Sequence, residues 1–269
     1  MLFVALLAGI SAAQIDRSTS PVTPAQEQKA IAFFDAGNAC GPDDNACRID
    51  NYSKAIASFP AFAEAYNNRG SAQLAEGKFE DARADFSKAI EIEPNFINGY
   101  YNRAVLLAGK GEYAGAVRDF DAALALEPKL VLAYVGKGSA HLKSGDLKAA
   151  AASFDRAIEL EPKFAPSFYN RGVIFLLRSE LDSAIKDFSR TIELNPEFAF
   201  AYLNRAVCLV RKGDDGRAVE DLTKFIELSP NDERGYTSRA SAYLRLGDKE
   251  KAEIDRRKAS ALQRNVKAE

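Results

Sequence analysis

The segment Ala89-Ile90-Glu91-Ile92-Glu93-Pro94 returns further along the chain as Ala157-Ile158-Glu159-Leu160-Glu161-Pro162. A third version reads Ile192-Glu193-Leu194-Asn195-Pro196. The prolines that end these segments belong to an evenly spaced series: Pro60, Pro94, Pro128, Pro162, Pro196 and Pro230. A fixed period of about 34 residues predicts a chain made of tandem copies of one supersecondary unit.

Other positions also keep their character from copy to copy. Six residues after each proline stands an aromatic residue: Tyr66, Tyr100, Tyr134, Phe168, Tyr202 and Tyr236. Ten residues after it stands a small one: Gly70, Ala104, Gly138, Gly172, Ala206 and Ala240. Later in each copy comes a position that is always alanine: Ala82, Ala116, Ala150, Ala184, Ala218 and Ala252. One helical turn beyond the alanine, five copies have a large apolar residue: Phe86, Phe120, Phe154, Phe188 and Leu222. The last copy has Arg256 at this position.

Each copy contains two segments with helical apolar periodicity, for example 63–75 and 79–92, which meet at Gly77. Glycine recurs at this hinge in most copies, as expected for a residue that ends a helix in the left-handed conformation. Proline then ends the second helix, because it lacks an N–H and restricts the residue before it. No copy can bury its apolar faces alone, so the copies must stack.

This pattern resembles the tetratricopeptide repeat family. The resemblance implies an all-α, right-handed superhelical solenoid of helix-turn-helix units whose role is to bind other proteins. Six consecutive units are expected at 61–264, a divergent unit at 27–60, a flexible lead-in at 14–26 and a C-terminal tail at 265–269. Tyr or Phe replaces the tryptophan that the family often carries, and Arg or Lys replaces a frequent leucine.

Composition excludes several classes of function. The 36 basic and 38 acidic residues give a net charge of -2, which argues against a nucleic-acid partner. One histidine, His141, and three cysteines leave little material for a metal site, so we expect no metal and no cofactor. His141 occupies a packing position of its unit. No phosphate loop or nucleophile–base pair is present, and we expect no catalytic residue and no enzyme activity.

Residues 1–13 form an apolar run that ends in Ser11-Ala12-Ala13. The run is too short to span a bilayer, and its small residues predict a signal peptide cut after Ala13. The alternative is a hydrophobic tail with no targeting role. Ile10 stands where a lipoprotein signal has its lipidated cysteine, so no stable membrane anchor is expected. The predicted location is the periplasm or the exterior.

Two cysteines, Cys40 and Cys47, flank the expected turn of the divergent first unit. In an exported protein such a pair predicts a disulfide. Free thiols in a cytosolic chain, or half of a metal site, are the alternatives. Cys208 stands at a position where other units have Ala, Leu or Ile, which predicts a small buried apolar residue.

A charge pair repeats with the same period. Arginine lies nine residues after five of the prolines: Arg69, Arg103, Arg171, Arg205 and Arg239. Aspartate follows at a fixed position of the second helical segment in the same five units: Asp85, Asp119, Asp187, Asp221 and Asp255. In the remaining unit both change, to Lys137 and Ser153. We expect structural, partly buried bidentate ion pairs, formed within a unit or between neighbouring units, and not a catalytic or phosphate site. Coincidental surface charge is the alternative.

The binding surface is expected on the first helices, which line the concave side in the family. Their outward face carries a row of amides: Asn68, Asn102, Asn170 and Asn204. Apolar residues accompany the row: Tyr101, Val105, Leu132, Val135, Tyr169, Val173, Phe200, Leu203 and Val207. Arg211, Arg234 and Arg245 add positive charge near the C-terminal end, which would suit an extended, partly apolar peptide with an acidic end.

An amide can pair with the N–H and C=O of any extended peptide. The sequence therefore predicts a non-catalytic scaffold that binds a protein or peptide segment, with homo-oligomerisation also possible. The alternatives are a self-assembling structural protein and an accessory subunit of an exported enzyme or envelope complex. A tolerated asparagine in a crowded turn is the competing explanation of the amide row.

Overall fold

The computed structural model describes residues 22–266, with side chains as far as Arg264. Within this part of the chain every element of regular structure is an α-helix. The helices are α1 (Pro24–Asn38), α2 (Asn45–Ser58), α3 (Ala63–Ala75), α4 (Phe79–Ile92), α5 (Ile97–Gly109), α6 (Tyr113–Leu126), α7 (Val131–Ser144), α8 (Leu147–Leu160), α9 (Ala165–Leu177), α10 (Leu181–Leu194), α11 (Ala199–Lys212), α12 (Asp215–Leu228), α13 (Glu233–Arg245) and α14 (Lys249–Val266).

The helices divide into two compact units at Ser144. The N-terminal unit contains α1 to α7 and the C-terminal unit contains α8 to α14. Inside each unit every helix packs on the next one in the chain. The odd-numbered helices, called first helices below, also contact one another: α3, α5 and α7 in one unit, and α9, α11 and α13 in the other. The first helices of each unit therefore form one continuous face, as the all-α repeat prediction requires.

From α3 to α13, the turn after each first helix contains a residue in the left-handed region. Five of these residues are glycine: Gly77, Gly111, Gly145, Gly213 and Gly247. The sixth is Ser179, with φ of 60°. The turn hydrogen bonds are alike in both cases, since Lys78 N–H donates to the Gln73 carbonyl and Glu180 N–H donates to the Phe175 carbonyl. The backbone geometry of the repeat thus persists where glycine is missing.

The end of a second helix depends on proline. The residue before the proline caps the helix in extended conformation, for example Phe59 at φ -139° and Glu93 at φ -128°. This is the conformation that a following proline imposes on its neighbour. Because the prolines are evenly spaced, each of these second helices ends at the same position of its repeat.

The core includes the large apolar residue and the alanine that recur on the second helices α4, α6, α8, α10 and α12. Phe86, Phe120, Phe154 and Phe188 are at most 1% exposed. Burial of such a side chain stabilises the fold by about 2 kcal/mol. The small residues of the first helices make room for these rings, because a Cβ added at Gly70 would lie only 2.8 Å from the Phe86 ring.

Two helix boundaries differ from those expected. The predicted lead-in extends to residue 26, but α1 begins at Pro24. Thr23 and Gln26 form a capping box and Pro24 takes the first helical turn, a combination that starts a helix early. At the other end α14 continues to Val266, into the expected tail 265–269. The predicted signal peptide, residues 1–13, lies outside the described residues.

No helix in residues 22–266 combines the length and the apolar character that crossing a membrane requires.

Candidate functional site

The repeated arginine and aspartate form bidentate ion pairs inside each repeat. Arg103 donates from Nε to Asp119 Oδ2 at 2.7 Å and from Nη2 to Asp119 Oδ1 at 2.8 Å. The same two bonds join Arg69 to Asp85, Arg171 to Asp187, Arg205 to Asp221 and Arg239 to Asp255. The carboxylates are at most 10% exposed. Coincidental surface charge therefore does not account for this pattern.

Each of these arginines also forms a hydrogen bond with the preceding repeat. The remaining Nη1 donates to a side chain on the second helix of that repeat, as from Arg103 to Ser87 Oγ at 3.0 Å. The acceptors in the other repeats are Ser53, Asp155, Ser189 and Thr223. A bond between Asp85 and the arginine of the next repeat, which the sequence also allowed, is not formed. Sequence reasoning missed the acceptors, although they occupy the same position in successive repeats.

The repeat that has Lys137 in place of arginine keeps the contact with the preceding repeat but lacks the ion pair inside the repeat. Lys137 cannot make the bidentate pair, and its Nζ instead contacts Asp121 Oδ1 of the preceding repeat at 2.6 Å. The Ser153 hydroxyl donates to the carbonyl of Ala149 on its own helix. In the next repeat Arg171 contacts two carboxylates, Asp187 and Asp155, and these bonds raise the pKa of Arg171.

The two cysteines of the first hairpin form a disulfide, with their Cα atoms 6.0 Å apart. The bond closes the turn between α1 and α2, where Asp44 caps α2 and Asn51 donates to the Cys47 carbonyl. Cys208 is fully buried against Phe188 and Ala184, and burial raises the pKa of its thiol to about 11. His141 lies half-buried in the last turn of α7.

The face of the N-terminal unit differs from the exposed strip that the sequence predicted. Tyr101 is only 6% exposed and packs edge-on against the Phe120 ring, at 5.9 Å between centroids. Val105 and Leu132 pack against the same cluster. Tyr101 cannot contact a ligand here, because its ring fills the space between two first helices and the second helix behind them.

The amides of this unit bond to one another instead of standing free. Asn102 donates to Asn67 Oδ1 at 2.8 Å, and Asn67 donates to Asn68 Oδ1 at 3.1 Å. Asn68 in turn donates to Asn38 Oδ1 at 3.5 Å. The same Asn38 oxygen also accepts a hydrogen bond from the Tyr52 hydroxyl. The chain of bonds links three successive repeats. Asn67 and Asn38 were not identified from the sequence, because neither position carries asparagine in other repeats.

The amide row is interrupted at Gly136 for a steric reason. A Cβ at this position would lie 2.3 Å from the Phe120 ring, so no side chain fits. The same ring that buries Tyr101 therefore excludes an asparagine from the next first helix.

The face of the C-terminal unit keeps two polar groups available. Tyr169 accepts a hydrogen bond from Asn204 at 3.1 Å, and its own hydroxyl proton has no acceptor among the described residues. Burial raises the pKa of Tyr169, so the hydroxyl remains a donor at neutral pH. The neighbouring Asn170 is half-buried, and its amide makes no hydrogen bond within the described part of the chain. The Nδ2 group of Asn204 is already engaged in this hydrogen bond to Tyr169.

An aromatic residue projects from the same face. Phe200 is 40% exposed, and the Arg234 guanidinium lies 5.0 Å from its ring centroid. Val173 on α9 and Val207 on α11 are half-buried, whereas Leu203 is buried in the core and is not part of the surface.

The positive charge expected on this face is largely neutralised. Asp232 holds Arg234 with two bonds, from Nε to Oδ1 at 2.9 Å and from Nη2 to Oδ2 at 2.5 Å. Arg245 contacts Asp215 at 2.8 Å. Arg211 alone of the three forms no ion pair with a described residue. The face is therefore aromatic and amide-bearing more than cationic.

Models of the tetratricopeptide repeat match residues 63–96, 101–167, 165–198, 201–232 and 233–266. No curated protein matches the sequence.

Several solved structures have the same fold. MamA from Desulfovibrio magneticus RS-1 is 28% identical, with a TM-score of 0.58 over 62% of this chain and 95% of its own. YrrB, described as a TPR protein with an unusual peptide-binding site, is 25% identical, with a TM-score of 0.56 over 68% of this chain and 95% of its own. A repeat protein from Parabacteroides merdae ATCC 43184 is 23% identical and covers 88% of this chain and 92% of its own at a TM-score of 0.65, a likeness of fold alone.

The repeat models cover most of the sequence, and the helices pack in the order that the family requires. An array of this kind is a protein-interaction scaffold, and nothing in the described residues indicates enzymatic activity. The chain belongs to the tetratricopeptide repeat family.

Proposed function

We propose that the first-helix face of the C-terminal unit binds an extended, partly apolar peptide segment of a partner protein. The observation that carries this proposal is the combination of unused polar groups and an exposed aromatic ring on one face. Tyr169 offers a hydroxyl proton, Asn170 offers a whole amide, and Phe200 offers apolar surface.

The polar groups suit a peptide backbone. The Tyr169 hydroxyl can donate to a peptide carbonyl, while the Asn170 amide can donate to one carbonyl and accept from one N–H. A few such bonds contribute roughly 0.5 to 1.5 kcal/mol each, which by itself gives weak binding. Apolar contact with Phe200, Val173 and Val207 must supply the rest, so the ligand needs an apolar or aromatic side chain.

The charge on this face argues against a strongly acidic ligand. Arg234 is engaged by Asp232, and Arg245 is engaged by Asp215. Arg234 instead stacks on Phe200 and restricts the orientation of the ring. The proposed ligand is therefore recognised by its backbone and one apolar anchor.

The test uses the full chain and a short peptide selected from a displayed library of random sequences. Fluorescence anisotropy then measures its affinity for the parent protein and for Phe200→Ala. Removing an aromatic anchor is expected to weaken binding by about tenfold or more. The matched control is Phe79→Ala, because Phe79 is also 40% exposed but belongs to a second helix.

Equal affinities of the parent protein and Phe200→Ala would contradict the proposal, as would an equal loss in Phe79→Ala. If the protein's mass rises with concentration in light scattering and peptide binding fails, the result favours the alternative, a protein that assembles with further copies of itself.

We also propose that the chain is exported and cleaved after Ala13. The disulfide between Cys40 and Cys47 supports an oxidising compartment, since such bonds rarely persist in the cytosol. Intact-mass measurement of the mature protein is expected to show Gln14 at the N-terminus and one disulfide. A chain that retains residues 1–13 and three free thiols would contradict export.

A further inference from the structure

A small pocket of about 220 Å³ lies on the second-helix side of the N-terminal unit. It opens between α4 and α6, and α5 contributes two of its less exposed residues, Arg103 and Leu107. The other lining residues come from α4, α6 and the turn before α6: Arg83, Ser87, Glu112, Gly115, Arg118 and Asp119. The pocket is distinct from the face of the first helices.

The repeats themselves provide a reference for this pocket, since each lining position has an equivalent in every other repeat. Arg83 stands where the other repeats have Val117, Ala151, Ile185, Val219 and Glu253. Arg118 stands where they have Ala84, Ala152, Lys186, Glu220 and Ile254. Gly115 stands where they have Asp81, Ala149, Ser183, Arg217 and Lys251. Arg83, Gly115 and Arg118 therefore stand at positions that vary among the repeats, and the repeat architecture prescribes none of the three.

Gly115 keeps the pocket open. A Cβ at this position would lie 3.2 Å from Leu107 Cδ1 and 3.8 Å from Arg118 Nη2. Glycine inside a helix costs about 1 kcal/mol relative to alanine, and the missing side chain leaves the space beside Leu107 and Arg118 unfilled.

The pocket has more donors than the protein satisfies. Arg103 is bonded to Asp119 and Ser87, and Arg83 contacts Glu112 through Nη1 at 3.2 Å. Arg118 has no ion pair or hydrogen bond with a described residue. Three guanidiniums against two carboxylates leave one net positive charge and several N–H groups without an acceptor.

We propose that this pocket binds a tetrahedral oxyanion of the phosphate type. Guanidinium groups match such an anion because their parallel N–H groups donate to two of its oxygens at once. Arg83 and Arg118, which line the pocket from α4 and α6, would hold the anion between them. Arg103 stays paired with Asp119 and forms the floor of the pocket.

The test titrates the full chain with inorganic phosphate at constant ionic strength and follows the backbone amide signals of residues 83–119 by NMR. Saturable shifts are expected for the parent protein. The double variant Arg83→Gln, Arg118→Gln is expected to bind at least about tenfold more weakly, the loss of roughly one charge-assisted contact or more. Its matched control is Lys186→Gln, which removes a charge at the position equivalent to Arg118 in another repeat and should leave the affinity unchanged.

A second variant, Gly115→Asp, places a carboxylate in the pocket and is expected to abolish binding. The equivalent position already carries Asp81 in α4, so the helix tolerates this residue. Ala149→Asp in α8 is its control and should bind as the parent does.

Glycerol phosphate and acetate complete the design. Binding of glycerol phosphate comparable to that of inorganic phosphate would show that the anion can be a phosphate monoester, whereas binding of phosphate alone would define a site for the free ion. Either result supports the proposal. Non-saturable shifts, equal affinity in the Arg83→Gln, Arg118→Gln variant, or acetate binding as tight as phosphate would overturn it.

Discussion

The first helices of the two units carry the same repeat pattern but present different faces. In the N-terminal unit the polar residues satisfy one another, from Asn102 through Asn67 and Asn68 to Asn38. In the C-terminal unit Asn170 and the proton of Tyr169 have no partner among the described residues, and Phe200 is exposed.

The difference shows that a repeated residue need not have a repeated role. An asparagine eight residues after the proline contributes to cohesion where a neighbour offers an acceptor, and it remains available where none does. The burial of Tyr101 and the 40% exposure of Phe200 point in the same direction. We therefore assign cohesion to one face and propose ligand binding for the other.

The largest effect should be common to both units, because the ion pairs under the two faces are alike. Asp119→Asn in the N-terminal unit and Asp221→Asn in the C-terminal unit should each reduce the free energy of unfolding by about 3 kcal/mol, since each leaves a partly buried arginine unpaired. Urea denaturation measures the change. Asp50→Asn, which removes an exposed pair with Lys54, is the control and should cost less than about 1 kcal/mol. Unequal losses at Asp119 and Asp221 would show that the two frameworks differ.

The next effect should be confined to the N-terminal unit, which alone has the disulfide. Replacing Cys40 and Cys47 by serine should cost roughly 2.5 kcal/mol on the chain-entropy model, as should reduction of the parent protein. Hydrogen exchange should show the loss of protection in α1 and α2. The double serine variant provides the control for the reductant, which should not change its stability further. A parent protein whose exchange is unaffected by reduction would refute a stabilising role for the bond.

A smaller effect separates the two faces directly. Asn102→Ala leaves the buried Asn67 carbonyl without its donor and should cost about 1 kcal/mol of stability, with the affinity for the selected peptide unchanged. Asn170→Ala breaks no internal hydrogen bond and should change the free energy of unfolding by less than about 0.5 kcal/mol. The same variant should bind the selected peptide more weakly than the parent protein does. Thermal denaturation and anisotropy on the same two proteins measure both quantities. The opposite assignment of losses would reverse the roles of the two faces.

The smallest effect should be a gain of stability in the C-terminal unit. Ser179 adopts the left-handed conformation that glycine takes in the equivalent turns. Ser179→Gly should therefore stabilise the protein by about 0.5 kcal/mol. The substitution relieves backbone strain in the folded state, and this gain is partly offset because glycine gives the unfolded chain more conformational entropy. Calorimetry should show a slightly higher Tm. Gly213→Ser is the reciprocal control and should lower it.

Much of the candidate site follows from sequence spacing. Arg69 and Asp85 are equally distant from Gly77, and an antiparallel hairpin brings such positions together. Spacing could not choose between Asp85 and Asp119 as the partner of Arg103, because both positions are compatible with it. The structure selects Asp119, which lies on the second helix of the same hairpin, and gives the remaining nitrogen to Ser87.

The repeat period by itself determined the helical hairpins, their glycine turns, their proline ends and the buried phenylalanines. These features are local or depend on apolar periodicity, which a linear pattern records. Only the tertiary structure decided which residues of the first helices are exposed. Exposure depends on the side chains of neighbouring repeats, as when the Phe120 ring packs against Tyr101 and leaves no room for a side chain at Gly136. The same ring contact recurs at the same spacing between Tyr169 and Phe188, yet Tyr101 is buried and Tyr169 is half-buried. Spacing therefore records the contact but not the exposure, because exposure depends on how the surrounding side chains fill the space around each ring.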